Sequence, residues 1–110
     1  MNSSRRLRLS ASDKRPPRPR RSEWSKAFAK DWDRLWHTGR YDLSALKEVM
    51  LLLIANDGPL GAEWRDHPLK GEWRHHRECH IGGDFLLIYR LDTDCVVFVR
   101  AGSHSELFRT

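Results

Sequence analysis

The chain has 110 residues, 39% hydrophobic and 32% charged, with a formal charge of +5. That length suits one small domain, and its longest apolar run, the seven residues Val49 to Ala55, falls far short of the roughly 18 that a membrane-spanning helix needs. Two cysteines, Cys79 and Cys95, exclude a disulfide framework, and no apolar signal stretch occupies the first thirty residues, so a cytoplasmic, reduced setting without a membrane partner is expected.

The positive charge is concentrated at the start. Residues 1–21 carry eight Arg or Lys against Asp13 alone, a net +7, while residues 22–110 carry twelve basic and fourteen acidic side chains, a net −2. Residues 1–16, rich in Ser, Arg and Pro, read as a flexible basic leader whose charge suits solvation or contact with phosphate backbones. A single domain is expected over residues 17–110.

Arg18 to Ser22 reads as a short edge strand, where Pro19 is tolerable because an edge leaves N–H groups unpaired. Ser22 is placed to cap a first helix, with Glu23 in its first turn. Trp24, Phe28, Trp32, Leu35 and Trp36 then mark one face of that helix up to Gly39, and the stripe is read as core. Asp42 can cap a second helix carrying Leu43, Leu46, Val49, Met50, Leu53 and Ile54 on one side, ended by Asn56-Asp57-Gly58-Pro59. The short link makes the two helices an antiparallel hairpin whose apolar faces need a third surface.

Gly58 to Gly71 reads as loop. Three strands follow at about 72–81, 84–91 and 95–101, joined by Gly82-Gly83 and by Asp92-Thr93-Asp94, so neighbours should pair as an antiparallel meander. Ser103 to Phe108 is expected to form one helical turn. The fold class is α+β: a helical hairpin packed on a small antiparallel sheet with a short N-terminal edge strand.

Five of the six histidines lie between His67 and His104, together with Arg74, Arg77, Arg90 and Arg100. Strand alternation puts Arg77, Cys79 and Ile81 on one face and Glu78 and His80 on the other; in the last strand Cys95, Val97 and Val99 oppose Val96, Phe98 and Arg100. If the helices cover an apolar face, the opposite face keeps His80, Arg100 and their neighbours, a composition suited to holding an anion and moving protons. His75-His76-x-x-Cys79-His80 has zinc-ligand residue types, but alternation turns Cys79 away from His80, and neither a Cys-x-x-Cys pair nor a helical His-x-x-x-His occurs; no metal is expected. Cys79, facing the apolar side, is a poor nucleophile. The chain also lacks a phosphate loop, a dinucleotide fingerprint and a nucleophile elbow, which argues against nucleotide hydrolysis, dinucleotide redox chemistry and serine-hydrolase chemistry.

From Asp66 onward the sequence reads Asp66-His67-Pro68-Leu69-Lys70-Gly71-x-Trp73, then Arg77-Glu78-x-His80-Ile81-x-x-Asp84-Phe85-Leu86-Leu87-Ile88-Tyr89, then Arg100-Ala101-Gly102-Ser103-His104-x-x-Leu107-Phe108. These segments, with Lys30-Asp31-Trp32 and Tyr41-Asp42-Leu43-x-x-Leu46 upstream, resemble the YafQ-type toxins of the RelE/ParE superfamily over roughly residues 17–110. The resemblance implies the toxin of a type II toxin–antitoxin system: an endoribonuclease that cuts messenger RNA on the ribosome and is silenced by a cognate antitoxin. A toxin–antitoxin hetero-oligomer contacting operator DNA through the antitoxin is the further assembly it implies.

Carried over by position, the catalytic set is His67, His80, Asp84, Arg100 and His104, with Lys70, Arg77, Phe85 and Phe108 as substrate contacts and no cofactor. Phe85 stands where a Trp is often found, and Gly82-Gly83 replaces a more usual Glu-Pro. Cleavage of this kind deprotonates the ribose 2′-hydroxyl, stabilises a phosphorane and protonates the departing 5′-oxygen. Asp84 or His80 is expected as base and His104 as acid, with His67 assisting and Arg100 on the phosphate. Three alternatives remain: a ParE-like gyrase poison, an RNA-binding module without catalysis, and a degenerate toxin that keeps only antitoxin binding.

Overall fold

The computed structural model describes residues 18–108, so the leader read over 1–16 lies outside the described residues. In chain order the elements are β1 (Arg21–Trp24), α1 (Lys26–Thr38), α2 (Leu43–Ala55), β2 (His67–Pro68), β3 (Arg77–Gly82), β4 (Phe85–Leu91), β5 (Cys95–Gly102) and α3 (His104–Phe108). Single 3-10 turns lie at Ala62–Trp64 and Gly71–Trp73.

Ser25, rather than Ser22, caps α1: its Oγ accepts from the Phe28 N–H at 2.9 Å and donates to the Val99 carbonyl at 2.7 Å. Arg21 to Trp24 are taken up in register with Cys95 to Phe98, which consumes the residues read as the first helical turn. Trp24 therefore leaves the helical stripe and stands 63% exposed, and Trp36 is 62% exposed. The buried line of α1 is Phe28, Asp31 and Leu35, at spacings of three and four that keep one face.

Gly39 ends α1 as expected, at φ 68. No atom lies within 4 Å of where a Cβ would stand there, so Gly39→Ala is expected to cost only the left-handed backbone term, about 1 kcal/mol, read as a lower denaturant midpoint with unchanged slope. An unshifted midpoint would show that the turn relaxes out of that conformation.

Asp42 caps α2, its Oδ1 accepting from the Ala45 N–H at 3.0 Å, and Asn56 closes the helix at φ 57. Leu46, Val49 and Leu53 are its buried line. No helix of the described residues is long and apolar enough to cross a membrane.

The five strands form one sheet in the order β1-β5-β4-β3-β2. The antiparallel meander of β3, β4 and β5 forms as expected. β1, however, pairs in parallel with β5, making the sheet mixed. Parallel pairing is available because no tight turn joins these two strands; the helical hairpin and the meander lie between them.

The first meander strand starts at Arg77 rather than near residue 72, because the 3-10 turn at Gly71–Trp73 and a left-handed His75, φ 76, interrupt the extended run. Within the segment read as loop, His67 and Pro68 pair with Glu78 and Arg77. Pro68 is tolerated because β2 is the sheet's edge.

A bulge between β4 and β5 decides which face each residue of β5 takes. Tyr89 pairs with Phe98 and Ile88 with Arg100, leaving Val99 extra. Strict alternation would put Phe98 and Ala101 on opposite faces, yet both join the core cluster with Phe28, Leu35 and Leu46. The expectation that Val96, Phe98 and Arg100 share a face is corrected accordingly. Val96 and Phe98 lie beneath the hairpin, and Arg100 returns to the face of Ile88 and its neighbour Glu78. On that second face Leu86, Ile88 and Leu107 form a smaller cluster, flanked by Leu69, Trp73, Val99 and Phe108, which seats α3 against the sheet.

Candidate active site

The second face carries a row of titratable side chains. Pairing of β2 with β3 places His67 directly beside Glu78, and alternation along β3 returns His80 to the same side two residues later. Glu78 Oε2 lies 3.3 Å from His67 Nε2 and 3.6 Å from His80 Nε2, and Glu78 is only 4% exposed. His67 Nδ1 is 2.8 Å from the Arg65 carbonyl, which assigns the hydrogen to Nδ1 and directs the Nε2 lone pair at the carboxylate when the ring is neutral. Arg65 turns the chain there at φ 50.

The row continues across the β3–β4 turn. The His80 and His104 ring centres are 6.5 Å apart, and those of His67 and His80 are 5.8 Å apart. Asp84, in the turn, accepts from the His104 backbone N–H at 2.9 Å and from His104 Nδ1 at 3.0 Å with the same oxygen. These two donors hold Asp84 below the usual carboxylate range, so it is a steady anion and a weak base. They also fix the His104 ring with Nε2 outward. Phe108 lies 5.8 Å from the His104 ring and meets Trp73 edge-on at 6.0 Å. His80 is pushed below the ordinary histidine range, first by burial and then by Arg65, His67 and His104, with Glu78 opposing; near neutral pH its imidazole is uncharged.

His67, His80, Asp84, His104 and Phe108 are thus brought together. The other expected site residues are placed differently. The Arg100 guanidinium, expected free for phosphate, turns to α1 and donates to Asp31 at 2.7 Å from Nε and 3.1 Å from Nη2. Arg77 is engaged by Asp66 at 2.8 and 3.2 Å, and the Tyr89 hydroxyl donates to the same carboxylate. Phe85 is 5% exposed and packs on Tyr41 with ring centres 4.8 Å apart, so no base can stack on it where it sits. Lys70 is exposed beside the Gly71–Trp73 turn.

The His75-His76-x-x-Cys79-His80 segment does not converge: Cys79 is in the core under the hairpin, and the His76 ring stands against Trp73. Burial pushes the Cys79 thiol up, as suits an unreactive core cysteine. Sequence reasoning did not place Glu78 in the site, although its i, i+2 relation to His80 put the two on one face. Arg65 carried no signal of its own.

The family described as the bacterial toxin of type II toxin-antitoxin systems, YafQ, matches residues 20–109. The chain is 40% identical over 86 residues to the mRNA interferase toxin YafQ of Escherichia coli K12, covering 78% of this chain and 92% of that protein. Its fold is similar to that of the E. coli DinJ–YafQ complex structure, with TM-score 0.74 and 39% identity over 81% of this chain and 98% of the matched one. It is likewise similar to a metal-bound toxin from Helicobacter pylori, with TM-score 0.70 and 40% identity over 81% and 99%. A match that runs from β1 through α3 takes in the helical hairpin, the mixed sheet and the histidine row together, and on that basis the chain belongs to the YafQ family of type II toxin–antitoxin toxins.

Proposed function

We propose that this chain is an endoribonuclease that cleaves messenger RNA on the ribosome by acid/base catalysis and is held silent by a cognate antitoxin. One observation carries the reading: three imidazoles stand in a row on one sheet face, with Glu78 between the first two and Asp84 behind the third. Relatives named mRNA interferase toxins, and a similar toxin in complex with the antitoxin DinJ, support it.

The reaction needs a base on one side of a phosphate and an acid on the other. His80, kept neutral by burial, takes the proton of the 2′-hydroxyl, and the 2′-oxygen attacks phosphorus. Glu78, beside the His80 ring, balances the positive charge the ring then acquires. His104, held through Nδ1 by Asp84, delivers a proton from Nε2 to the 5′-oxygen as the P–O bond breaks. A 2′,3′-cyclic phosphate and a 5′-hydroxyl remain. Separate imidazoles in the two roles each supply about 10²–10⁴-fold. His67 and Arg65 lie beside His80, where charge builds on the non-bridging oxygens. Phe108 presents a ring at the open end of the row for a base to stack on.

Inducible expression of the wild type and of His104→Ala, scored for growth and for message ends by primer extension, tests this. The His104 side chain is 52% exposed, so the variant should fold. Growth arrest with discrete cuts in translated messages, abolished by His104→Ala, is the expected result. Arrest with intact messages, unchanged by the substitution, would overturn the ribonuclease reading.

A further inference from the structure

We infer that the basic leader, residues 1–17, is an RNA-gripping arm that holds phosphate backbone away from the cut and supplies most of the chain's electrostatic affinity for RNA. That RNA is the partner rests on the proposed function. The need for an added cationic surface rests on the charges of the folded domain.

That domain offers a polyanion no net attraction. Residues 22–110 sum to −2, and the arginines that the sequence offered for phosphate are neutralised inside the fold. Arg100 is held by Asp31 at 2.7 Å and Arg77 by Asp66 at 2.8 Å. The face they leave carries the Glu78 and Asp84 carboxylates within the histidine row. Long-range attraction of a phosphate chain needs a surplus of positive charge, and in this sequence the surplus lies ahead of the domain.

Arg20 and Arg21 do not supply it. The Arg20 guanidinium donates to the Leu53 carbonyl at 2.6 Å, and Arg21 pairs with Asp94 at 3.1 Å. The surplus is Arg5, Arg6, Arg8, Lys14 and Arg15, against Asp13 alone. Four of these five cations are Arg, whose planar fork matches two phosphate oxygens at once. Residues 1–17 contain no aromatic side chain, so nothing there can read a base by stacking or anchor in a bilayer interface. Charge is the chemistry the leader has, and it fits a phosphodiester backbone of any sequence.

The fold also sets where the arm starts. The Arg20 N–H donates to the Ile54 carbonyl at 2.7 Å, and the Asn56 side-chain amide donates to the Arg18 carbonyl at 2.9 Å. These bonds pin the chain against the end of α2. Arg21 pairs with Cys95, the first residue of β5, whereas His104 follows the last. Eight strand residues, at about 3.3 Å each, put about 25 Å between that entry point and the end carrying His104. The arm therefore acts on binding and leaves the chemical step alone. The family match begins at residue 20, so the arm is an addition to the shared domain.

The test compares the full chain with a variant combining Arg5→Gln, Arg6→Gln, Arg8→Gln, Lys14→Gln and Arg15→Gln. The probe is a fluorescein-labelled 2′-O-methyl oligouridylate, which lacks the attacking hydroxyl and stays intact; anisotropy reads binding between about 50 and 200 mM salt. The variant should bind about tenfold or more weakly at the low end, with a log–log salt slope shallower by about 3. Changing the four arginines to Lys instead should keep the slope, because counterion release counts charges. On ribosomes programmed with a message, the Gln variant should raise KM and leave kcat in place.

Equal affinity and slope in the wild type and the Gln variant would overturn the arm. So would a loss shared by the Lys variant, which would trace the effect to something other than charge. Leader-dependent sedimentation with phosphatidylserine vesicles, without a difference on RNA, would assign the leader to a membrane surface instead. A chain that shows the expected slopes and cleaves no message would support the arm while defeating the ribonuclease reading.

Discussion

Glu78→Gln is expected to slow RNA cleavage by about 10²-fold or more while leaving the fold in place. The substitution keeps the size of the side chain and its place in β3, so the cross-strand contact with Ile88 and the pairing with His67 are retained. What it removes is the negative charge between two imidazoles, at 3.3 and 3.6 Å from their Nε2 atoms. In the proposed mechanism His80 becomes positive as it takes a proton, and without the carboxylate that charge develops unbalanced on a partly buried ring.

A pH–rate profile separates this from mere packing. Glu78 favours the protonated form of His80, against burial and the nearby Arg65, His67 and His104. Its removal should lower the pKa of His80 further and move the acidic limb of the profile, where His80 loses its role as base, to lower pH. Single-turnover cleavage on ribosomes programmed with a defined message, read across pH, checks both the rate and the shift. An unchanged rate with an unchanged profile would show that Glu78 contributes only its shape.

Asp31→Asn is expected to be the more damaging change to stability. Asp31 is 2% exposed, yet it accepts from Arg100 at 2.7 and 3.1 Å, from Arg34 at 2.7 Å and from the Ala101 N–H at 3.0 Å. Burial alone would raise its pKa; the hydrogen bonds from Arg100, Ala101 and Arg34 together outweigh that and hold it below the usual carboxylate range. Removing the charge leaves two guanidiniums facing a neutral amide, at a cost of about 3 kcal/mol. The figure stays at the low end of the range for buried pairs because the Arg34 and Arg100 side chains remain 36% and 26% exposed.

The pH dependence follows from the sign of the shift. A depressed carboxylate contributes stability above its unfolded pKa, about 3.9, and that contribution is lost as pH falls through its folded value. The gap between wild type and Asp31→Asn in urea midpoint should therefore be wide at pH 7 and shrink below about pH 4. A gap equal at both pH values would mean that the Asp31 carboxyl has the same pKa folded as unfolded, so that its hydrogen bonds do not favour the anion.

The same network reaches the candidate active site. Arg34 donates to the Ala101 carbonyl at 3.2 Å and to Glu106 at 3.3 Å, and Glu106 accepts from the Ser103 N–H at 2.8 Å. These bonds fix the backbone that delivers His104, so Asp31→Asn should also slow cleavage.

Features decided within a few residues were legible in the sequence. Gly39 and Asn56 stop their helices because each adopts the left-handed backbone, and Asp42 caps α2 because its carboxylate reaches an N–H three residues on. Glu78 and His80 share a face because strand side chains alternate. Alternation also puts His80 on the candidate face, whereas His67, Asp84 and His104 enter through the family resemblance, and periodicity alone does not assign their roles.

Only the tertiary structure decided the rest, because each case turns on a partner distant in the chain. The parallel register of β1 with β5 moved the α1 cap from Ser22 to Ser25. The bulge at Val99 reset which face Arg100 takes, and a carboxylate 69 residues away then claimed its guanidinium. Phe85 turned inward because Tyr41, on the far side of the sequence, offered a ring to pack on. His67 met Glu78 because a two-residue edge strand, too short to show any alternation, hydrogen-bonds to β3. Local sequence sets backbone conformation and facing; which polar side chains neutralise one another depends on the register between strands and helices, and that register forms only when the core closes.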